Sequence, residues 1–165
     1  LRFDRRGEFP VRSSSLSLPP ERQVPAVLLA PVRRGLADAV ENLDWTGTGE
    51  EALSVYRRPE SAGIKEPHVW FKLGLLLFDG RHYPESFEAF KKCGELDRTK
   101  ANLFGALVWM GIIKDLLGDR PAAVGFYTEA LKNDPGRPLQ HDQYGLRINK
   151  AWVEERLKTP FKRTP

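Results

Sequence analysis

The sequence predicts an all-α fold, a solenoid of helix-turn-helix repeats preceded by an extended N-terminal arm. Three observations carry the prediction. The chain matches itself when displaced by 37 and again by 34 residues, the matched segments pair small residues with large aromatic ones, and Gly, Asp and Pro fall where successive helices must turn.

The segment from Trp70 reads Trp70, Leu73, Gly74 and Leu77, a turn at Asp79 and Gly80, then Tyr83, Ser86, Phe90, Cys93 and Asp97. Displaced by 37 residues, Leu73 meets Met110, Gly74 meets Gly111, Pro84 meets Pro121, Ser86 meets Ala123, Phe90 meets Tyr127 and Cys93 meets Ala130. A further 34 residues place Tyr144 and Gly145 on Met110 and Gly111, with His141 in the slot of Trp70 and Leu107. Going back 34 finds Leu36, Ala39, Val40, Leu43, Gly47, Ala52 and Tyr56.

Each element has a local cause. Thr48 followed by Glu51 forms a capping box for a helix over about 49–58. Pro84 and Pro121 fall in the first turn of each second helix, where the missing N–H costs nothing. Gly74, Gly111 and Ala123 let two helices approach, and Phe90 and Tyr127 fill the space beside them. Asp97, Asp134 and Pro135 sit where helices stop. The spacing of Tyr144, Ile148 and Trp152 predicts one capping helix over 138–157, apolar on one stripe and charged elsewhere. Residues 1–30 hold four Ser, four Pro and short apolar runs, which read as an extended arm with a hairpin at Arg6 and Gly7.

These residues resemble the tetratricopeptide repeat family, whose unit carries W-x-x-L-G-x-x-Y, a small residue, a large aromatic, a second small residue and Pro. Leu107 to Pro135 is the fullest copy, with Gly111, Gly118, Ala123, Tyr127 and Ala130 in place. The chain departs from the pattern at three extra residues between the central copies, at Arg98 in place of the closing Pro, and at Pro59 inside the first copy. The resemblance implies a TPR-like superhelix with repeats over about 33–66, 67–103 and 104–137, the cap at 138–157 and a tail at 159–165.

Composition agrees with a folded chain: 165 residues, 41% apolar and 29% charged, with the lone Cys93 unable to form an internal disulfide. No apolar run approaches the ~20 residues of a membrane span, and that from Leu73 to Phe78 is broken by Gly74. Residues 1–35 carry seven basic and three acidic side chains and residues 147–165 carry six and two, whereas 36–146 carry 13 against 17. Two basic flanks around a mildly acidic body do not make the coherent basic face of a nucleic-acid binder. The basic run from Arg147 to Arg163 holds Trp152, but helical spacing assigns that ring to the core.

Catalytic and cofactor signatures are missing. There is no H-E-x-x-H, G-x-S-x-G, Walker loop or G-x-G-x-x-G, and Gly47-Thr48-Gly49 reads as an interhelical turn. His68, His82 and His141 stand apart from one another and from Cys93, so no cofactor and no metal site is expected. Glu50-Glu51 and Glu154-Glu155 point to different sides of their helices.

By the resemblance, the first helices of successive repeats line a concave groove that takes peptides. The slots fall on Phe71, Leu75, Phe78 and Asp79, then Val108, Ile112, Asp115 and Leu116, then Leu139, Asp142 and Leu146. The family members that clamp a terminal carboxylate use Lys, Arg and Asn there, which this chain lacks. Both central first helices are apolar nearly all round and must be covered all round. The expected occupant is a protein or peptide partner, a second copy of the chain, or the arm through Leu16, Leu18, Val24, Val27 and Leu28. A longer solenoid burying these residues as plain core is the remaining alternative.

The expected function is therefore a non-catalytic interaction scaffold. The rival expectation, motivated by Leu1 in place of Met and the strand-like opening, is the accessory domain of a larger enzyme such as a hydrolase or peptidase. No residue names a compartment; a soluble chain, with the cytoplasm preferred, is the expectation.

Overall fold

A computed structural model describes residues 49–58, 63–139 and 147–163. The expected arm, the first part of the first repeat, Pro59 and His141 lie outside these residues. Among the described residues six helices follow in order: α1 (Gly49–Tyr56), α2 (Pro67–Asp79), α3 (Tyr83–Leu96), α4 (Lys100–Leu116), α5 (Arg120–Lys132) and α6 (Lys150–Lys158). Each packs mainly on its neighbours in sequence, with the tightest pairing inside α2–α3 and α4–α5. The described residues are thus an all-helical repeat array with two complete helix-turn-helix units.

The two units are built alike. A Cβ on Gly74 would stand 2.9 Å from the Phe90 ring, and one on Gly111 would stand 2.6 Å from the ring of Tyr127. Only hydrogen fits at either place, so α2 seats on α3 and α4 on α5 through the same small-against-aromatic contact. Ser86, fully buried, donates its hydroxyl to the Gly74 carbonyl at 2.7 Å; Ala123 fills the matching position in the second unit without a polar group.

The turns match as well. Arg81 N–H bonds Phe78 O at 3.0 Å and His82 N–H bonds Leu77 O at 2.9 Å; 37 residues on, Gly118 N–H bonds Asp115 O at 3.1 Å and Asp119 N–H bonds Lys114 O at 2.9 Å. Both are Schellman closures, which need a left-handed residue. Gly118 takes it at φ 78°, whereas Arg81 adopts φ 62° with a side chain attached. Pro84 and Pro121 lie in the first turns of α3 and α5. α3 stops at Leu96 before Asp97, and α5 stops at Lys132 before Asn133, Asp134 and Pro135.

An aromatic chain joins the units. Phe71 meets Phe90 edge-on at 5.2 Å, Phe90 stacks on Trp109 at 5.7 Å and 7°, and Trp109 meets Phe78 at 5.0 Å. In the second unit Tyr127 meets Trp152 edge-on at 6.5 Å. At the other end, a Cβ on Gly49 would overlap the Gly80 backbone. Gly49, the first residue of α1, therefore serves close packing of α1 on the α2–α3 turn; Gly47 and Thr48 lie outside the described residues.

The capping helix differs from expectation. It runs from Lys150 to Lys158 rather than over 138–157. Leu139 N–H bonds Ile148 O at 2.9 Å, two positions that a continuous helix would hold about 13 Å apart. Asn149 then starts the helix afresh by accepting the Trp152 N–H at 2.9 Å. Ile148 is buried in the core and Trp152, half-buried, packs against it beside Tyr127, but the two do not share one helical stripe. Tyr144 lies outside the described residues.

Candidate interaction surface

α2, α4 and α6 are the first helices of successive units, and their C-terminal ends are linked by the segment 159–163. That segment leaves α6 extended, with Thr159 at φ −124° and ψ 131°. It passes the end of α4, where Phe161 N–H bonds Asp115 Oδ2 at 2.7 Å. It reaches the end of α2, where Arg163 donates to Phe78 O at 3.3 Å and lies 3.6 Å from Asp79 Oδ1.

Asp115 is the hub of this surface. Its side chain is fully buried, and a buried carboxylate must be neutralised and hydrogen-bonded. Arg120 Nη1 stands 2.9 and 3.2 Å from its two oxygens, and the Tyr127 hydroxyl donates at 3.0 Å. Burial pushes the Tyr127 hydroxyl far above its ordinary range, and the charge and hydrogen bond of Asp115 push it further. Tyr127 is held as a neutral donor.

The other half of the Arg120 guanidinium closes α6. Its Nη2 donates to Arg156 O at 2.6 Å and Leu157 O at 2.9 Å, the carbonyls left without partners at that helix end. A cation there also complements the helix dipole. One side chain thus bolts α6 to the second unit through charge-assisted bonds.

The slots expected from sequence divide into three groups. Leu75, Val108 and Ile112 are fully buried, and Phe71 and Phe78 are 7% and 2% exposed, so these five are core in the structure. Asp79 and Asp115 lie at the helix ends beside the segment 159–163, and Leu116, half-buried, ends α4. Leu139 sits apart, with Phe71, over Gly105, lining a cleft of about 330 Å³ with Asn102 and Arg137. Asp142 and Leu146 lie outside the described residues.

Sequence reasoning missed Arg120, Phe161 and Arg163. The available signal was Asp115 itself, a carboxylate in a helix apolar on nearly every side. Such a group needs a cation, and Arg120 follows five positions later across the turn. Nothing local points to Phe161, 46 positions away.

Other reactive groups are placed structurally. Burial pushes the Cys93 thiol up to about 11, and it donates to Asn102 Oδ1 at 3.4 Å, which leaves it protonated and unreactive near neutrality. Asn102 also donates to Cys93 O and Asp97 O, tying the start of α4 to the end of α3. His82 pairs with Glu50 at 3.1 Å, joining the α2–α3 turn to α1. Among the described residues no three His, Cys, Asp or Glu side chains converge on a metal position, and no helix is long and apolar enough to cross a membrane.

Fold and surface together define a helical repeat protein that holds a stretch of extended polypeptide across the ends of its first helices. Over 110 residues, 67% of this chain, it is 27% identical to the photosystem I assembly protein Ycf3 of Synechococcus sp. (strain CC9605). The aligned stretch spans 63% of that relative's length. No protein-family model matches the chain, and no solved structure matches it significantly.

Proposed function

We propose that this chain is a non-catalytic scaffold that binds a segment of a protein partner on the face formed by α2, α4 and α6. The observation that carries the reading is the segment 159–163, held extended on that face by a buried carboxylate, an aromatic ring and an acidic side chain. A helix-end surface that already recognises extended chain has the chemistry a peptide ligand requires. Similarity to a protein named for assembling photosystem I supports a role in bringing other proteins together. The partner is a separate protein; the chain's own arm and a second copy are the competing occupants.

Site-specific photo-crosslinking tests this. A photoreactive amino acid at Leu116, half-buried at the C-terminal end of α4, is compared with one at Thr128, exposed on α5. The reading expects one discrete protein joined at position 116 and absent at 128. Joining only to the chain itself, or equally at both positions, contradicts it. Substituting Leu75 or Ile112 by Asp is unsuitable, because both side chains are fully buried and a charge there unfolds the array.

A further inference from the structure

We propose that residues 159–163 are an intramolecular ligand, and that the partner displacing them presents an extended segment with an aromatic residue followed two positions later by arginine. The inference rests on the reading above and adds to it the chemistry of the partner and a built-in competitor.

Three features make the segment resemble a bound peptide more than a structural strap. First, its contacts alternate. Phe161, half-buried, packs its ring on Trp152 at 6.2 Å, and Arg163, exposed like Lys162 between them, lies over the Phe78 ring at 5.2 Å. Alternate side chains read into pockets, with main-chain bonds supplying register, is how an extended ligand is recognised. Second, charges complement: the basic Arg163 meets Asp79, and the acidic hub at Asp115 receives a backbone N–H.

Third, the attachment is releasable. Asp115 keeps Arg120 and the Tyr127 hydroxyl when the Phe161 N–H departs, so displacement strands no unpaired buried charge. The Arg163 and Asp79 side chains are 34% and 35% exposed, and a pair so placed is held weakly. A segment tethered at α6 nevertheless competes at the millimolar effective concentration typical of a short link. The surface is therefore covered until a partner carrying the same pattern, at higher affinity, takes it.

The test uses a labelled peptide of sequence Lys-Thr-Pro-Phe-Lys-Arg, acetylated and amidated so that no terminal charge is added, titrated by fluorescence anisotropy. It is added to the whole chain, to the chain with Phe161→Ala and Arg163→Ala, and to the chain with Arg163→Glu alone. The last change falls on an exposed position and leaves the fold intact, as circular dichroism checks. Weakening the tethered copy is expected to raise peptide affinity at least ~10-fold over the unaltered chain. A peptide with Phe and Arg both replaced by Ala is expected to lose that binding.

Equal affinity for all three chains, or no binding to the folded Arg163→Glu chain, overturns the proposal. The two readings fail separately. A protein joined at position 116 that the peptide does not compete away keeps the scaffold and removes the intramolecular ligand. Peptide binding without any joined protein keeps the intramolecular ligand and removes the scaffold.

Discussion

Replacing Arg120 by Met keeps the aliphatic stem and removes the guanidinium, which isolates the bolt between the second unit and α6. Four contacts go: two to the carboxylate of Asp115 and two to the carbonyls of Arg156 and Leu157. Breaking a wholly buried ion pair costs about 3–5 kcal/mol. Two facts reduce that here. The Arg120 side chain is 30% exposed, so water screens the pair, and Asp115 retains Tyr127 and Phe161 as donors. The expected loss is about 2–3 kcal/mol, a large share of the roughly 5–15 kcal/mol of a domain. Urea unfolding followed by circular dichroism and tryptophan emission measures it as a lower midpoint. Lys150→Met, which breaks an exposed pair with Glu154 at 4.0 Å, is the control and is expected to change stability by less than about 0.5 kcal/mol. A loss below about 1 kcal/mol for Arg120→Met would refute the idea that Asp115 depends on it.

Thermal or urea melts of three alanine substitutions separate three glycine roles. Gly111→Ala is expected to be the most damaging, because Tyr127 must move from 2.6 Å, at a cost of roughly 1–3 kcal/mol. Gly118→Ala has open space around it but a φ of 78°, so about 1 kcal/mol is expected from backbone conformation alone. Gly125→Ala, inside α5 with nothing within 4 Å, is expected to stabilise by up to about 1 kcal/mol. Alkaline pH should also weaken the fold through Cys93. Its thiol ionises near 9 once exposed and about 11 when buried, so the stability it lends is intact below 9 and lost as pH rises toward 11. The loss by pH 11 is on the order of 2 kcal/mol, measured as the difference in pH slope between the chain and its Cys93→Ala variant. Equal slopes would contradict the burial argument.

The core of each repeat was legible because it rests on local pairs at fixed spacing. Gly74 with Phe90, Gly111 with Tyr127, and Pro84 and Pro121 at helix starts each announce a helix-helix contact in a single unit of sequence. The capping helix was misjudged for an equally physical reason. Apolar residues at 144, 148 and 152 satisfy a helical period, but the Leu139–Ile148 backbone bond and the Asn149 cap, which period does not report, set where the helix starts.

The surface was half legible. A helix apolar on every side gives no indication of which side a ligand meets, so Leu75, Val108 and Ile112 read as groove slots and are core in the structure. Asp79 and Asp115 were named because the repeat register carries both to the same end of successive first helices. Their partners come from the far end of the described chain, Phe161 and Arg163, and a contact across 46 or 84 positions leaves no trace in local pattern.

The most direct test of the scaffold and of its built-in competitor is one comparison: the yield of protein joined at position 116 in the unaltered chain and in the chain carrying Arg163→Glu. The account predicts the same discrete partner in both, with a yield several-fold higher once the tethered segment is weakened. An unchanged yield, or a partner that disappears with Arg163→Glu, would show that residues 159–163 do not compete for this surface.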